Sequence, residues 1–298
     1  MASTPPLRIW LCSALLAVSV VALLALQRHA PWLEPEPEPV ITKHTQRFLA
    51  SAYGGETPIR VLGLGSSLLW AATPPATMDE IALLPGISWM RMTKLGTGLG
   101  ALQASLIPIE NNPPNVLVIE ENLLFADSTV TNQLRDDLFL LIRNVAYKVT
   151  AQARFAPPRA YVELADQKEP LPYEEFPQEI KKQLVLKNAN NLQTIFSYGT
   201  INLALTDRLQ CLSQRGIHII VLELRRSELV EQVIAPQKKR WQEQLRRALP
   251  PGPQVSYIAS PHFSPQDLYF DGSHMNVVGA RLLAPWWAAQ LQQLRDGH

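Results

Sequence analysis

Three regimes of hydrophobic and polar patterning succeed one another along this chain. Ile9 to Leu26 is an apolar run without a single charge. Residues 27–57 are polar and rich in Pro and Glu at their centre. From residue 58 onward, short β-branched runs alternate with longer segments of mixed polarity. Asn115–Glu120 and Ile217–Leu222 are continuous apolar runs bounded by polar residues, as buried parallel strands should be. Arg60–Leu64, Ser88–Met92 and Val255–Ile258 complete five predicted strands. Helices are predicted between and after them, at about 131–153, 189–214 and 237–248, and over Ala280–Leu294. This alternation predicts an α/β fold with a mostly parallel five-stranded sheet covered on both faces. Ligands in such sheets bind at the carboxyl ends of the strands. Ser67 and Asn122 each fall just past a predicted strand end.

The first regime changes the picture of where the protein acts. A charge-free run of about 18 residues or more is long enough to span a bilayer. A cleaved signal has a shorter apolar core and a small-x-small site. The run at 9–26 is therefore predicted to be one uncleaved transmembrane helix behind a short tail, residues 1–8. Ile9-Trp10-Leu11 is too bulky to make Cys12 a lipobox cysteine. Arg8 on one side faces Arg28, Lys43 and Arg47 on the other, so charge does not orient the span. The short tail makes an extracytoplasmic domain the simpler arrangement. Glu34-Pro35-Glu36-Pro37-Glu38-Pro39 favours extended polyproline II stiffened by charge repulsion, either a spacer or a solvated tail. The predicted organisation is an anchor (9–26), a linker (27–57) and one domain (58–298). Within that domain a Pro-, Glu- and Tyr-rich insertion is predicted at about 155–188, read equally as a substrate-contacting segment or a surface excursion.

Composition narrows the function classes. The net charge of +1 calls for no nucleic acid or other polyanion as partner. The two cysteines, Cys12 and Cys211, are placed in different predicted helices and do not suggest a disulfide. No metal-ligand spacing is present, and Gly96-x-Gly98-x-Gly100 lacks the spacing of a nucleotide loop, so no cofactor or metal is predicted.

Two short motifs carry the chemistry. Gly65-Ser66-Ser67 ends the first strand, with Gly65 permitting a tight turn. Asp271-x-x-His274 precedes the last helix. A serine hydroxyl needs a base within hydrogen-bond reach, a histidine titrates near working pH, and a carboxylate fixes its tautomer. Ser67 is thus the candidate nucleophile, His274 the base and Asp271 its orienting acid. Ser67 at the start of a helix places N–H groups near a developing oxyanion. A glycine-loop N–H and the Asn122 amide are further candidate donors.

These motifs resemble those of the SGNH/GDSL hydrolase superfamily. The similarity is to its membrane-anchored bacterial envelope branch, which contains alginate O-acetyltransferases and the D-alanine transfer protein of teichoic acid synthesis. Gly65-Ser66-Ser67 matches the first block, Asp271-x-x-His274 the last, and Met275-Asn276-x-x-Gly279 continues it. Glu120-Glu121-Asn122-Leu123 stands where Gly-x-Asn-Asp is expected and keeps only the Asn. Gly96, Gly98 and Gly100 compete for the lone oxyanion glycine, with Gly98 preferred. The resemblance covers about residues 58–295. It implies a flavodoxin-like three-layer SGNH fold and an acyl-serine intermediate. It further implies an esterase or acyltransferase acting on O-acyl groups, acetyl foremost, of an envelope or secreted polysaccharide. Its setting would be the cytoplasmic membrane, with the domain periplasmic or extracellular and a membrane-bound acyl-donor protein as partner. A carboxylate at Glu120 would oppose an oxyanion unless it points away.

Each residue also has an ordinary reading. Gly-Ser-Ser is a common βα turn, Asp271 a helix cap, and His274 a helix-end histidine. His262 is read as a loop residue and His218 as structural. Glu120 and Glu121 are adjacent and are predicted to face opposite ways, which argues against a glycosidase pair. Arg225-Arg226, Lys238-Lys239-Arg240 and Arg246-Arg247 are read as solvated faces. Against the enzyme stands a reading of another class: a non-catalytic adaptor of the same fold that binds glycan or a membrane acyltransferase.

Overall fold

The structure is a computed structural model and describes residues 9–16, 18–20, 59–74, 84–93, 106, 109–110, 113–126, 177–264 and 266–296. The chain divides into two compact units, Met1–Glu38 with Thr129–Pro157, and Pro39–Ser128 with Pro158–His298. In the first, residues 9–16 and 18–20 are helical and largely exposed, Trp10 and Leu16 among them. Among the described residues no helix is long and apolar enough to cross a membrane. Ala17 and residues 21–26 of the predicted anchor lie outside them, as do the linker, the predicted helix at 131–153 and most of the predicted insertion.

The second unit runs β1 (Ile59–Gly65), α1 (Ser67–Ala72), β2 (Ile87–Thr93), β3 (Val116–Glu120), a 3-10 turn (Glu121–Leu124) and β4 (Phe125–Ala126). Then come α2 (Gln178–Tyr198), β5 (Thr200–Ile201), α3 (Leu203–Gln214), β6 (His218–Glu223), α4 (Glu228–Ala248), β7 (Val255–Ala259), a second 3-10 turn (Gln266–Leu268) and α5 (Val277–Asp296). Five strands form one all-parallel sheet in the order β2-β1-β3-β6-β7. β4 and β5 pair antiparallel beside it. All five predicted strands of the main sheet are present, each within a residue or two of its predicted ends.

Alternation along the strands explains why helices cover both faces. Leu62, Leu64, Leu117, Ile119, Ile219 and Val221 point to one side and pack with Val185, Leu209, Ile234 and Trp241 of α2, α3 and α4. Val61, Val116, Val118, Ile220 and Leu222 point to the other and pack with Leu69 of α1 and Leu283, Trp287 and Leu291 of α5. A strand buried on both faces must be apolar at every position, which is the continuous run seen in the sequence. Each such side chain contributes roughly 1.5–3 kcal/mol on burial.

Two helix boundaries differ from expectation. The predicted insertion reaches residue 188, yet the chain is helical from Gln178 to Tyr198 and breaks at Gly199 before α3 begins. α2 combines good helix formers (Lys, Gln, Leu) with three Asn, and is held by the stripe Val185, Ala189, Leu192 and Phe196 against the core. α4 begins at Glu228 rather than 237 and carries Pro236 inside it. A proline forfeits one backbone bond there, which the buried Val230, Ile234 and Trp241 offset.

Candidate active site

The strand order reverses between β1 and β3, since β2 lies on one side of β1 and β3 on the other. The carboxyl ends of β1 and β3 flank such a crevice. Ser66 and Ser67 follow β1 there, and Glu120 and Asn122 end β3 and begin the 3-10 turn. The last segment before α5 brings Asp271 and His274 to the same place.

Ser67 Oγ lies 2.8 Å from His274 Nε2. His274 Nδ1 lies 2.8 Å from Asp271 Oδ2. With the imidazole neutral, Nδ1–H donates to the carboxylate and Nε2 accepts from the serine hydroxyl, the tautomer a general base requires. The three predicted side chains are therefore in one hydrogen-bonded line, drawn from residues 207 apart in sequence. Asp271 Oδ1 also accepts from the backbone N–H of Ser273 at 3.0 Å and of His274 at 2.9 Å. Burial pushes the Asp271 carboxyl up, but the His274 hydrogen bond, its charge and the two backbone donors outweigh this, and its pKa is lowered. Asp271 thus keeps its charge to lower pH than an ordinary carboxylate.

The turn carrying Asp271 is tied to its surroundings. Gly272 sits at φ +83°, a conformation that disfavours a side chain, and an added Cβ would meet Val185 and Val230 at 3.0 Å. Its carbonyl accepts from Ser227 N–H, and the Asp271 carbonyl accepts from Asn188 Nδ2 at 2.9 Å. Asn276 Oδ1 accepts from Gly279 N–H and so caps α5.

The two serines of the first motif have different partners. Ser66 caps α1, its Oγ accepting from Leu68 N–H at 3.2 Å and donating to Glu120 Oε1 at 2.6 Å. Ser67 alone of the two meets the imidazole. Glu120 is fully buried, and its second oxygen accepts from the N–H groups of Ser66 at 2.8 Å and Leu69 at 3.1 Å. Trp70 N–H is taken by the Ser66 carbonyl. The Ser67 N–H has no acceptor among the described residues, so it is the donor in this turn left for an oxyanion. Asn122 donates from Nδ2 to Glu120 Oε1 at 3.0 Å, and its Oδ1 accepts from Arg226 Nη2 at 3.1 Å. Gly96, Gly98 and Gly100 lie outside the described residues.

Beyond Asn122 is a charged cluster that the sequence reading placed in solvent. Arg226 and Lys238 are buried, whereas Lys239, Arg240, Arg246 and Arg247 are exposed as expected. Lys238 Nζ pairs with Glu223 at 2.7 Å and Glu231 at 2.8 Å, with Glu121 at 3.9 Å. Gln242 donates to both Glu121 and Glu223. Burial, with the nearby Glu223 charge, pushes the Glu121 carboxyl up to about 7 against the opposing pull of Lys238, Gln242 and Arg226. Glu120 and Glu121 thus have different direct partners, Glu120 the Ser66–Leu69 turn and Asn122, Glu121 Gln242 and Lys238. His262 is exposed, and His218 bonds Ser256 Oγ at 2.9 Å, away from this chemistry. Among the described residues no group of His, Cys, Asp and Glu could hold a metal ion. Cys12 and Cys211 are both free thiols.

The sequence motifs did not single out Asn188, Arg226 or the structural use of Glu120. The available signal was an acid at the end of a buried strand, where an unpaired charge would be costly and a partner is demanded.

No family model matches the chain, and no curated protein matches it. Among solved structures it is similar to that of a "putative platelet activating factor" from Streptococcus pneumonia. The identity is 12%, the TM-score 0.41, and the match covers 90% of this chain and 99% of that one. At that similarity the neighbour decides neither fold family nor activity.

Proposed function

We propose that this protein is a membrane-anchored extracytoplasmic serine acyltransferase or esterase of the SGNH type, working through an acyl-Ser67 intermediate. The observation that carries the reading is the line from Ser67 Oγ to His274 Nε2 to Asp271 Oδ2, both contacts 2.8 Å. The strand order, equivalent to 2-1-3-4-5 along the sheet, supports a flavodoxin-like assignment. The charge-free run at 9–26 supports the anchor.

The reaction follows from the contacts. Ser67 Oγ attacks the acyl carbonyl as its proton passes to His274 Nε2. Asp271 steadies the imidazolium through Nδ1. The negative oxygen of the tetrahedral intermediate is received by the Ser67 N–H. As the ester C–O bond breaks, His274 returns the proton to the departing alcohol. In the second half an acceptor hydroxyl, or water, gives its proton to His274 and attacks the acyl-serine; as the acyl–Oγ bond breaks, His274 returns that proton to Ser67. A sugar hydroxyl gives transfer; water gives hydrolysis. The substrate class is an O-acyl, foremost O-acetyl, polysaccharide of the envelope or a secreted one, with a membrane protein supplying acyl groups when transfer is the outcome.

A fluorophosphonate probe and an aryl acetate test the reading on the full-length protein. The expected result is covalent labelling at Ser67 that is lost in S67A and H274A, with aryl-acetate turnover lost in parallel. A folded protein that never labels, or an S67A variant that keeps its turnover, overturns it; the former would favour the adaptor.

A further inference from the structure

A buried carboxylate next to a site that must stabilise an oxyanion is a liability unless its charge is absorbed. Glu120 is fully buried, and both of its oxygens are fully occupied. Oε2 takes the N–H groups of Ser66 and Leu69, and Oε1 takes Ser66 Oγ–H and Asn122 Nδ2–H. Three of these four donors belong to the turn that carries Ser67. The fourth belongs to the candidate oxyanion amide. The other end of that amide accepts from Arg226, itself only 3% exposed. The Asn122 side chain is therefore held between a carboxylate at its NH2 and a guanidinium at its oxygen. Flipping it would face donor to donor at one end and acceptor to acceptor at the other.

We propose that Glu120 is a positioning residue for the acyl-transfer chemistry, an inference that rests on the serine reading above. It acts in three ways. It fixes the Ser66–Leu69 turn from beneath. It engages the hydroxyl of Ser66, so that of two adjacent serines only the second is offered to His274. It sets the orientation of the Asn122 amide, with Arg226 holding the opposite end. Its charge is directed at four donors, none of them the Ser67 N–H, which resolves the conflict between an acid at this place and an oxyanion beside it. Substituting the amide in E120Q keeps the shape and one acceptor. It sets an NH2 against Asn122 Nδ2 or against the backbone donors, so one side of the arrangement must break.

The test is steady-state aryl-acetate kinetics and fluorophosphonate labelling on full-length wild type, E120Q, N122A and the double variant, with circular dichroism to confirm folding. E120Q is expected to lower kcat and the labelling rate by roughly 10- to 100-fold with KM little changed, the signature of a misplaced nucleophile rather than lost binding. The double variant is expected to fall within about threefold of E120Q, because the Asn122 contribution depends on Glu120. A folded E120Q with wild-type kcat, or effects of the two substitutions that multiply in full, overturns the role of Glu120 while leaving the Ser67 mechanism standing. A wild type that does not label overturns both. If E120Q fails to fold, S66A carries the test: it removes the hydroxyl's contact to Glu120 together with its cap on Leu68 N–H, and leaves the Ser66 and Leu69 N–H donors to Glu120 in place. A kcat reduced by roughly 3- to 10-fold at constant KM supports the proposal, and an unchanged kcat overturns it.

Discussion

Replacing Gly65 by alanine should disable the nucleophile without touching any reacting atom. Gly65 is the last residue of β1, and a Cβ built on it would lie 2.2 Å from Leu69 Cβ, 2.4 Å from Leu69 Cδ2 and 2.8 Å from Leu69 Cγ. Carbon atoms pack at roughly 3.5–4.0 Å, so the contact must open by about 1.3 Å or more. The Cδ2 methyl can swing aside, but Leu69 Cβ is fixed to the backbone. That backbone is held twice, by Leu69 N–H on Glu120 and by the Leu69 carbonyl on Thr73. The strain therefore passes into the first turn of α1, which contains Ser67. A shift of about 1 Å there takes the 2.8 Å bond to His274 out of hydrogen-bond range. Misplacement on that scale costs about 100-fold in rate, and overpacking costs about 1–3 kcal/mol of stability. For a domain of this size the stability loss corresponds to a Tm lower by about 2–12 °C. Fluorophosphonate labelling and a thermal melt on the full-length protein measure the two effects separately. A G65A protein that labels within threefold of wild type and melts within about 1 °C of it would show that the turn is not set by this close approach.

D271N should fold yet lose about 1,000-fold or more in labelling and turnover, because the imidazole no longer has a fixed acceptor at Nδ1. Asp271 has a lowered pKa, so its stabilising contribution is present above the ordinary carboxylate pKa and is lost as pH falls through its folded value. The Tm difference between wild type and D271N should accordingly shrink as melts are taken to pH 3; a constant difference refutes this. Glu121 is the opposite case, raised to about 7, so the stability it contributes at low pH is lost as pH rises through that value. E121Q should therefore gain in Tm relative to wild type between pH 5 and pH 8, and a flat difference would sink the argument. N188A removes the brace on the Asp271 carbonyl and should lower stability by about 1 kcal/mol, with turnover down a few-fold, both readable in the same assays.

The sheet was legible because burial on both faces leaves a mark that needs no partner to be recognised. Val116–Glu120 and His218–Glu223 are apolar at nearly every position, and no surface strand looks like that. The Ser67, Asp271 and His274 motifs were legible because each is local, even though their meeting is not. What escaped the reading depends on contacts between distant elements. Arg226 and Lys238 sit in ordinary charge runs; Asn122 reaches Arg226 from 104 residues earlier, while Glu223 and Glu231, near in sequence, meet Lys238 only because the chain turns from β6 into α4. Glu120 counted as a departure from a motif until Ser66, 54 residues earlier, was seen to meet it. The start of α2 was hidden by composition: its core stripe falls at helical spacing within a run of Lys, Asn and Gln.

The separation of Ser67 from its base has a bearing on how the protein matures. β1 and α1 are made before the turn bearing Asp271 and His274, whose histidine follows the serine by 207 residues. Until that turn docks between Asn188 and Ser227, Ser67 is an ordinary hydroxyl with no base. A chain in which this turn has not yet docked is therefore expected to be silent, and so is one clipped before Asp271. Labelling of Ser67 would therefore report that the turn bearing Asp271 and His274 has docked beside the end of β1.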